Sequence, residues 1–175
     1  MIEAMRILKE KGHKVTVYAV ATVREEVGAH GARVASYRIS PDLGIALDVT
    51  IANDVPGVPE REQVTKLGGG PAIKIMDTSL LVSPTVQQYL IKTAEENKIP
   101  YQLEVLTRGG TDAGVIHITK EGVSSGVISI PTRYIHSPIE TISLRDVINA
   151  AKLTALAVVN LTKDKIEELK GRKIK

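Results

Sequence analysis

The segment GIALDVTIA (44–52) decides the fold class, because it is apolar along almost its whole length and carries one charged residue. A strand that is buried on both faces has this continuous apolar composition, whereas a half-buried strand alternates apolar and polar residues. The segment VTVYAVATV (15–23) has a similar composition and predicts another buried strand. A weaker helical pattern over 29–37 separates the two segments, which is typical of a parallel sheet covered by helices.

Apolar strands continue to alternate with helical patterns along the rest of the chain. Helices are predicted over 2–11, 84–98 and 143–162, and strands over 71–77, 101–107 and 126–131. Residues 53–71 contain Pro56, Pro59 and three consecutive glycines, and they predict a long loop. The sequence therefore predicts a single domain over 1–175 of the α/β class, a three-layer α/β/α fold with a mostly parallel mixed sheet.

The composition argues against several classes of protein. The formal net charge is +3, and a chain with five Tyr but no Trp or Phe is poorly equipped to stack on bases, so we expect no nucleic-acid partner. The absence of Cys excludes disulfides and thiolate metal sites, and it is typical of a reducing cytoplasm or of a heat-adapted protein. No apolar run has the length needed to span a bilayer, so we predict a cytoplasmic protein without a membrane partner.

Asp48 is the one charged residue within the segment 44–52. Burying an unpaired carboxylate destabilises a fold by on the order of several kcal/mol. Such a group therefore requires a metal ion, strong hydrogen-bond donors or a nearby cation. Arg33 and Arg38 are the candidates for such a cation. The residues themselves leave the metal ligand and the ion pair equally open.

Glu25 and Glu26 follow the end of the predicted strand 15–23. If the backbone is extended there, the two side chains point to opposite sides, so one carboxylate could bind a metal while the other faces a substrate. The ordinary alternative for adjacent glutamates is a solvated surface. Glycoside hydrolysis is disfavoured, because it needs two carboxylates on opposite sides of the scissile bond.

His136 lies in the predicted loop that follows the strand 126–131. A neutral imidazole there suits zinc or cobalt, although a solvated surface histidine is the alternative. Ser137 beside it has no GxSxG context, so a serine triad is unsupported. The segment GGTDAG (109–114) predicts backbone N–H groups at a helix start, which suit a substrate carbonyl or carboxylate.

Five segments, taken in order, resemble one family: VREEVGAHGA, ALDVTIANDVPG, LGGGPAIKIMD, RGGTDAG and IPTRYIHSPIE. They are similar to the tetrahedral (TET-type) co-catalytic metallo-aminopeptidases of archaea and bacteria, some of which carry an endoglucanase label. The resemblance extends over essentially all 175 residues. It implies a zinc-peptidase-like fold, peptide substrates, two divalent metal ions (zinc or cobalt) and a homo-oligomer.

The resemblance also implies roles for individual residues. Glu25 corresponds to the general base, Glu26 and His136 to ligands of one metal, and Asp48 to a ligand of the other. A substrate-binding role is expected for the residues of the glycine-rich turn, namely Gly109, Gly110, Thr111 and Asp112.

The sequence departs from the family in two respects. Family members have a further histidine ligand and a bridging aspartate in an Asp-Asp-Arg motif, both upstream of the helix that here begins near Met1, and they have an inserted assembly domain that is absent here. We therefore expect the C-terminal part of a catalytic domain, a sheet incomplete at its N-terminal side, self-association, and weak or no peptidase activity of this chain alone. A non-catalytic α/β binding or assembly module is the alternative.

Overall fold

The computed structural model describes residues 1–171. Its helices are α1 (Ile2–Lys11), α2 (His30–Ile39), α3 (Pro84–Glu96), α4 (Ala113–Ile116), α5 (Leu144–Val159) and α6 (Lys163–Leu169). Its strands are β1 (Leu43–Ile51), β2 (Ala72–Met76), β3 (Gln102–Val105), β4 (Ser124–Arg133) and β5 (Thr141–Ile142).

The strands form a mixed sheet with the order β1-β4-β2-β3, and β5 pairs with β4 beside that path. The parallel pair β1 and β4 is in register from Leu43↔Ser124 to Ile51↔Thr132. β2 and β3 are also parallel to each other, whereas β2 runs antiparallel to β4. The sheet is open, and the predicted α/β class with a mixed sheet is confirmed.

Helices cover both faces of this sheet. A Cβ atom on Gly44 of β1 would lie 2.6 Å from the Ile116 side chain of α4. A Cβ atom on Gly126 of β4 would instead meet Val86 and Leu90 of α3. Gly44 pairs with Ser125, the residue before Gly126, and successive side chains of a strand point to opposite faces. α3 and α4 therefore pack on opposite faces, which gives the predicted three layers.

Local sequence signals explain where the long helices begin. Ser83 and Ser143 cap α3 and α5 by accepting a hydrogen bond from the backbone N–H three residues later, each at 3.4 Å. Proline occupies the first turn of α3, where its missing N–H costs nothing. The buried residues Leu90 and Leu153 join these helices to the core of the sheet.

The predicted buried strand over 15–23 is wrong. Residues 16–22 run without a turn or bend, but within residues 1–171 they join no strand ladder, and most of them are exposed. Apolar composition favours a strand only where a neighbouring strand supplies the hydrogen bonds. The described residues supply none beside this segment.

Two elements escaped prediction, β5 and α6. The segment of α6, KDKIEEL, is rich in charge, but Thr162 caps it and Leu169 is buried. The last four residues of the basic tail, 172–175, lie outside the described residues, and a single domain over 1–175 stays a prediction. Within the described part of the chain, no helix is long and apolar enough to cross a membrane.

Candidate active site

Four separate segments of the chain line one cavity of about 700 Å³. Glu25 and Glu26 come from the turn before α2, Asp48 from β1, and His136 from the turn after β4. Gly109, Gly110 and Thr111 line the same cavity. The structure therefore brings together seven of the eight residues that the sequence singled out; Asp112 is the exception.

The Glu26 and His136 side chains each come from a tight backbone turn. Arg24, just before the glutamates, has φ 58°, and His136 has φ 61°. Residues other than glycine rarely adopt this left-handed conformation, and such strain is concentrated at functional sites. Hydrogen bonds hold both turns: the Gly28 and Ala29 N–H groups donate to the Glu25 carbonyl, and the His136 N–H donates to Glu140 Oε1 at 2.6 Å.

The Glu26 and His136 side chains form the metal-type donor pair of the cavity. Glu26 Oε2 lies 3.9 Å from His136 Nδ1. Zinc binds imidazole nitrogen and carboxylate oxygen at about 2.0–2.2 Å, so two ligands of one ion lie at most about 4.3 Å apart. The pair fits a shared cation with little movement, because the two side chains are 74% and 65% exposed and free to adjust.

Asp48 has neither of the arginine partners considered from the sequence. Its Oδ1 accepts a hydrogen bond from the Val49 N–H at 2.8 Å. Among residues 1–171 it makes no ion pair, although Arg33 lines the same cavity. The ion pair with Arg33 or Arg38 is therefore wrong, and the carboxylate remains available within the cavity.

Negative charge accumulates around Glu25. Its pKa is raised above the usual value, first by burial and then by the carboxylates of Asp48, Glu26 and Asp112, while His136 opposes the shift. The pKa of Asp48 is also raised, mainly by burial, against the opposing effects of the Val49 N–H and the Lys74 ammonium. A cation in this cavity would relieve the repulsion among these carboxylates.

Few side chains of the cavity are nevertheless placed to bind a metal ion together. In the part of the chain that the structure describes, no group of three or more His, Asp or Glu side chains is arranged to hold a metal ion. Glu26 and His136 supply two ligands for one ion, and Asp48 stands apart from them. The chemistry of the residues fits divalent cations, but two ligands hold an ion far less tightly than three or four.

The glycine-rich turn lines the cavity and leads into a very short helix. Its helix, α4, has only four residues, and the N–H groups of Gly114 and Val115 bond within the turn, so it offers little as a helix N-terminus. Thr111 Oγ1 is buried and has no hydrogen-bond partner among residues 1–171. The Asp112 carboxylate turns away from the cavity and accepts a hydrogen bond from Thr22 at 2.6 Å.

A buried ionic group near Asp48 was missed from the sequence. Lys74 Nζ lies 2.6 Å from Glu104 Oε1 and 3.4 Å from Asp77 Oδ2, and all three side chains are at most 1% exposed. Thr50 also donates to Glu104 Oε1, at 2.6 Å. The available signal was a lysine inside the apolar strand AIKIM, the same signal that singled out Asp48.

The fold and the cavity together define an α/β protein with a cavity lined by carboxylate and imidazole side chains. The model of the M42 glutamyl aminopeptidase family matches residues 1–153. The chain belongs to this family.

Relatives in the family are about twice as long as this chain. The solved aminopeptidase of the archaeon Desulfurococcus kamchatkensis is 49% identical with a TM-score of 0.93, and the match covers 99% of this chain and 50% of that one. The lysyl aminopeptidase of Pyrococcus furiosus is 44% identical over 154 residues, which are 87% of this chain and 42% of the relative. The TET1 peptidase of Pyrococcus horikoshii, which assembles into a tetrahedron or an octahedral shell, is 31% identical with a TM-score of 0.67, over 80% of this chain and 40% of that one.

Proposed function

We propose that the protein to which this chain corresponds is a metal-dependent aminopeptidase, which hydrolyses amino-terminal residues from peptides. The observation that carries the proposal is the Glu26 and His136 pair, 3.9 Å apart, in the cavity that Glu25 and Asp48 also line. Membership of the M42 family supports the same activity. The family implies divalent metals, and we propose zinc or cobalt because both accept nitrogen and oxygen ligands.

In this proposal Glu26 and His136 hold one ion, and Asp48 contributes to the binding of a second. When bound, the ions supply Lewis-acid polarisation of the scissile carbonyl and lower the pKa of water. Glu25 is the general base, because its carboxylate lines the same cavity as the proposed metal ligands and is not itself one of them. Glu25 takes a proton from the attacking water and gives it to the departing amine.

The glycine-rich turn orients the substrate. Thr111 lines the cavity, and we place it beside the bound peptide in this proposal. Gly109 and Gly110 let a peptide backbone approach closely, because they carry no side chain into the cavity. Asp112 acts on the site only through its charge in this proposal, since its carboxylate is bonded to Thr22.

Assembly is part of the proposal as well. The TET1 peptidase of Pyrococcus horikoshii forms closed shells, and we propose a homo-oligomer here, with self-association of the 175-residue chain. The chain spans about half the length of its relatives, so the 175 residues alone are expected to be a weak or inactive peptidase.

Calorimetric titration of the chain with zinc and cobalt tests the metal site. We expect at most one weak site per chain, because two protein ligands are available, and Glu26→Ala should abolish it. Glu25→Gln should leave metal affinity nearly unchanged, since this residue is not a ligand in the proposal. Hydrolysis of amino-acid p-nitroanilides, where it is detectable, should fall by about 100-fold or more in Glu25→Gln, the scale of a lost general base.

Two results would contradict the proposal. Metal binding that survives both Glu26→Ala and His136→Ala would show that other residues form the site. The absence of both metal binding and hydrolysis would favour a binding or assembly module without catalysis.

A further inference from the structure

A band of polar side chains crosses one face of the sheet beneath the active site. Asp48 of β1 pairs with Ser129 of β4, and Ser129 also pairs with β2 two residues before Lys74. Lys74 in turn pairs with Glu104 of β3. Paired residues share a face, as do residues two apart along a strand, so all four side chains lie on one side of the sheet. Gly44, four residues before Asp48, places this band on the face that α4 covers.

Glu104 links the Lys74 ammonium to β1. Its Oε1 lies 2.6 Å from Lys74 Nζ and accepts a hydrogen bond from the Thr50 hydroxyl, also at 2.6 Å. Thr50 follows Asp48 by two residues, and residues 48–51 line the active-site cavity. We call residues 48–51 the β1 wall. β1 and β3 are not neighbours in the sheet, so this hydrogen bond connects two strands that no backbone ladder joins.

Asp77 links the same ammonium to the turn after β2. Its Oδ2 lies 3.4 Å from Lys74 Nζ and has no hydrogen-bond partner within residues 1–171. Its Oδ1 accepts hydrogen bonds from the Ser79 N–H and hydroxyl, each at 2.8 Å, and from the Leu80 N–H at 2.9 Å. One oxygen of this carboxylate therefore orders the turn, while the other faces the ammonium.

The turn after β2 in turn holds the glycine-rich turn. Thr78 donates to the Gly109 carbonyl through its N–H, at 3.1 Å, and also through its hydroxyl. Ser79 occupies the space beside Gly110, where a Cβ atom would lie 2.8 Å from the Ser79 hydroxyl oxygen. Residues 108–111 line the active-site cavity, and we call them the turn wall. The Lys74 ammonium is therefore connected to two separate stretches of the cavity lining.

Both links depend on one buried charge. The side chains of Glu104 and Asp77 are 0% exposed and that of Lys74 is 1% exposed, so no water replaces the ammonium if it is removed. Two buried carboxylates without a cation repel each other, and each is stabilised by moving towards solvent. Because Glu104 is bonded to the β1 wall and Asp77 orders the turn that holds the turn wall, such a movement changes the separation of the two walls.

We propose that Lys74 is a positioning residue of the active site, which fixes the separation of the β1 wall and the turn wall through Glu104 and Asp77. Its consequence for catalysis rests on the proposed function, in which Asp48 of the β1 wall contributes to metal binding and the turn wall orients the peptide. A displacement of about 1 Å between reacting groups lowers a rate by up to about 100-fold, so the spacing of the walls determines how well the scissile bond meets the metal.

The absence of Cys allows a direct measurement of the separation of the walls. Nitroxide labels are attached to Val49→Cys and Arg108→Cys, two exposed positions on the two walls, and the distance distribution is measured by electron paramagnetic resonance without metal. A second label pair, on Lys92→Cys of α3 and Lys152→Cys of α5, reports on the rest of the fold. We expect Lys74→Met to broaden the first distribution about 2-fold or more and to leave the second unchanged, because the opening is local.

Two further variants each cut one link and retain the ammonium, so they decide the question if Lys74→Met does not fold. Thr50→Val removes the hydroxyl of the first link and keeps its shape, whereas Asp77→Asn keeps the Oδ1 acceptor of the turn and removes its charge. Each should broaden the distribution between the walls. The effect of Asp77→Asn should disappear in the Lys74→Met background, because both changes break the same link. Thr154→Val, which removes a hydroxyl bonded within α5, is the matched control and should change neither distribution.

Zinc titration separates this proposal from the proposed function. Glu26 and His136 belong to neither wall, so Lys74→Met should change zinc affinity by less than about 3-fold. A wild-type chain that binds no zinc would contradict the proposed function but not the positioning role, which the distances measure without metal.

Two results would overturn the positioning role. The first is an unchanged distance between the walls in Thr50→Val and Asp77→Asn, and in Lys74→Met where it folds. The second is equal broadening for both label pairs, because the loss would then be general rather than confined to the active site.

Discussion

The Lys74 ammonium is enclosed by the fold and depends on two carboxylates for its charge. Glu104 Oε1 lies 2.6 Å away and Asp77 Oδ2 3.4 Å away. Lys74→Met keeps the volume and the straight side chain but leaves both carboxylates without their cation. We expect a loss of about 3–5 kcal/mol in the free energy of unfolding, measured by urea denaturation. Removing the ammonium leaves buried carboxylate charge without a compensating cation.

Lys92→Met is the matched control for this substitution. Lys92 lies on the surface of α3, 3.7 Å from Glu96, with its side chain 74% exposed. Removing an exposed pair of this kind costs about 0.5 kcal/mol or less. Similar small losses for Lys74→Met and Lys92→Met would show that the buried carboxylates protonate without difficulty.

Tyr89 stabilises the folded chain, and this stabilisation is lost at high pH. Burial raises the pKa of its phenol from near 10 to about 12, and the hydroxyl donates to the Ala157 carbonyl. The phenol ionises in the unfolded chain near pH 10 but not in the folded one, so stability is complete below pH 10 and falls as pH rises towards 12. The loss should reach about 1–2 kcal/mol after allowance for partial exposure.

Tyr89→Phe isolates this effect from the other groups that titrate in the same range. The variant should lose less of its unfolding free energy than the wild type between pH 9.5 and 11.5. In an absorbance titration, the difference between the wild type and Tyr89→Phe should show a phenolate that forms near pH 10 in the unfolded chain but at higher pH in the folded protein. Equal pH dependence of the two proteins would contradict the assigned pKa.

At the scale of single residues, the sequence identified unusually placed charged residues better than it identified their ion-pair partners. A charge inside an apolar strand was visible at Asp48, and the adjacent glutamates followed a segment with the composition of a strand. The partners were not visible: Lys74 and Glu104 are 30 residues apart, and their contact depends on how β2 and β3 align. Arg33 was a plausible partner for Asp48 by position, yet the fold leaves the two unpaired within residues 1–171.

At the scale of elements, Arg133 at the end of β4 is tied to the loop after β1. Its guanidinium donates to Asp54 through Nε at 2.9 Å and Nη2 at 2.8 Å. This bidentate pair fixes the strand end from which the His136 turn departs. Arg133→Met should therefore increase hydrogen exchange in residues 134–137 while β1 remains protected, and it should weaken zinc binding.

The same pair predicts the behaviour of the fold in acid. The Arg133 hydrogen bonds lower the pKa of Asp54 below its usual value, so the pair adds stability above the unfolded pKa of about 3.9. That stability is lost as pH falls through the lower pKa of the folded state. Urea denaturation at pH 5 and pH 3 should show a smaller acid loss for Arg133→Met than for the wild type. An identical acid loss would mean that the pair contributes nothing in solution.

Elements with their signals in nearby sequence were predicted, and elements that depend on distant partners were not. α3 and α5 have serine caps and helical apolar spacing within their own segments. Residues 15–23 have strand composition, but a ladder depends on a neighbour that the composition does not contain. α6 was not predicted because its segment is mostly charged, and only its residues Ile166 and Leu169 face the core.

At the scale of the whole molecule, one carboxylate connects the long loop to the last long helix. Asp146 in the first turn of α5 is fully buried, and its two oxygens accept hydrogen bonds from the N–H groups of Gly68 at 2.7 Å and Gly70 at 3.0 Å. Gly70 has φ 95°, and a Cβ atom there would lie 2.1 Å from the Pro100 carbonyl. Gly68 and Gly70 therefore bind an internal carboxylate, which the sequence could not indicate because Gly70 and Asp146 are 76 residues apart.

Asp146→Asn tests this connection because it changes one oxygen to an amide and keeps the shape of the side chain. The amide nitrogen would face a backbone N–H, so one hydrogen bond is lost and both the backbone N–H and the new amide N–H are left without an acceptor. The free energy of unfolding should fall by about 2–3 kcal/mol, and hydrogen exchange should rise in residues 66–70. Asp164→Asn, in the exposed first turn of α6, should cost less than about 1 kcal/mol. A loss for Asp146→Asn no larger than that of Asp164→Asn, with the loop still protected, would show that packing of residues 66–70 holds the loop without the carboxylate.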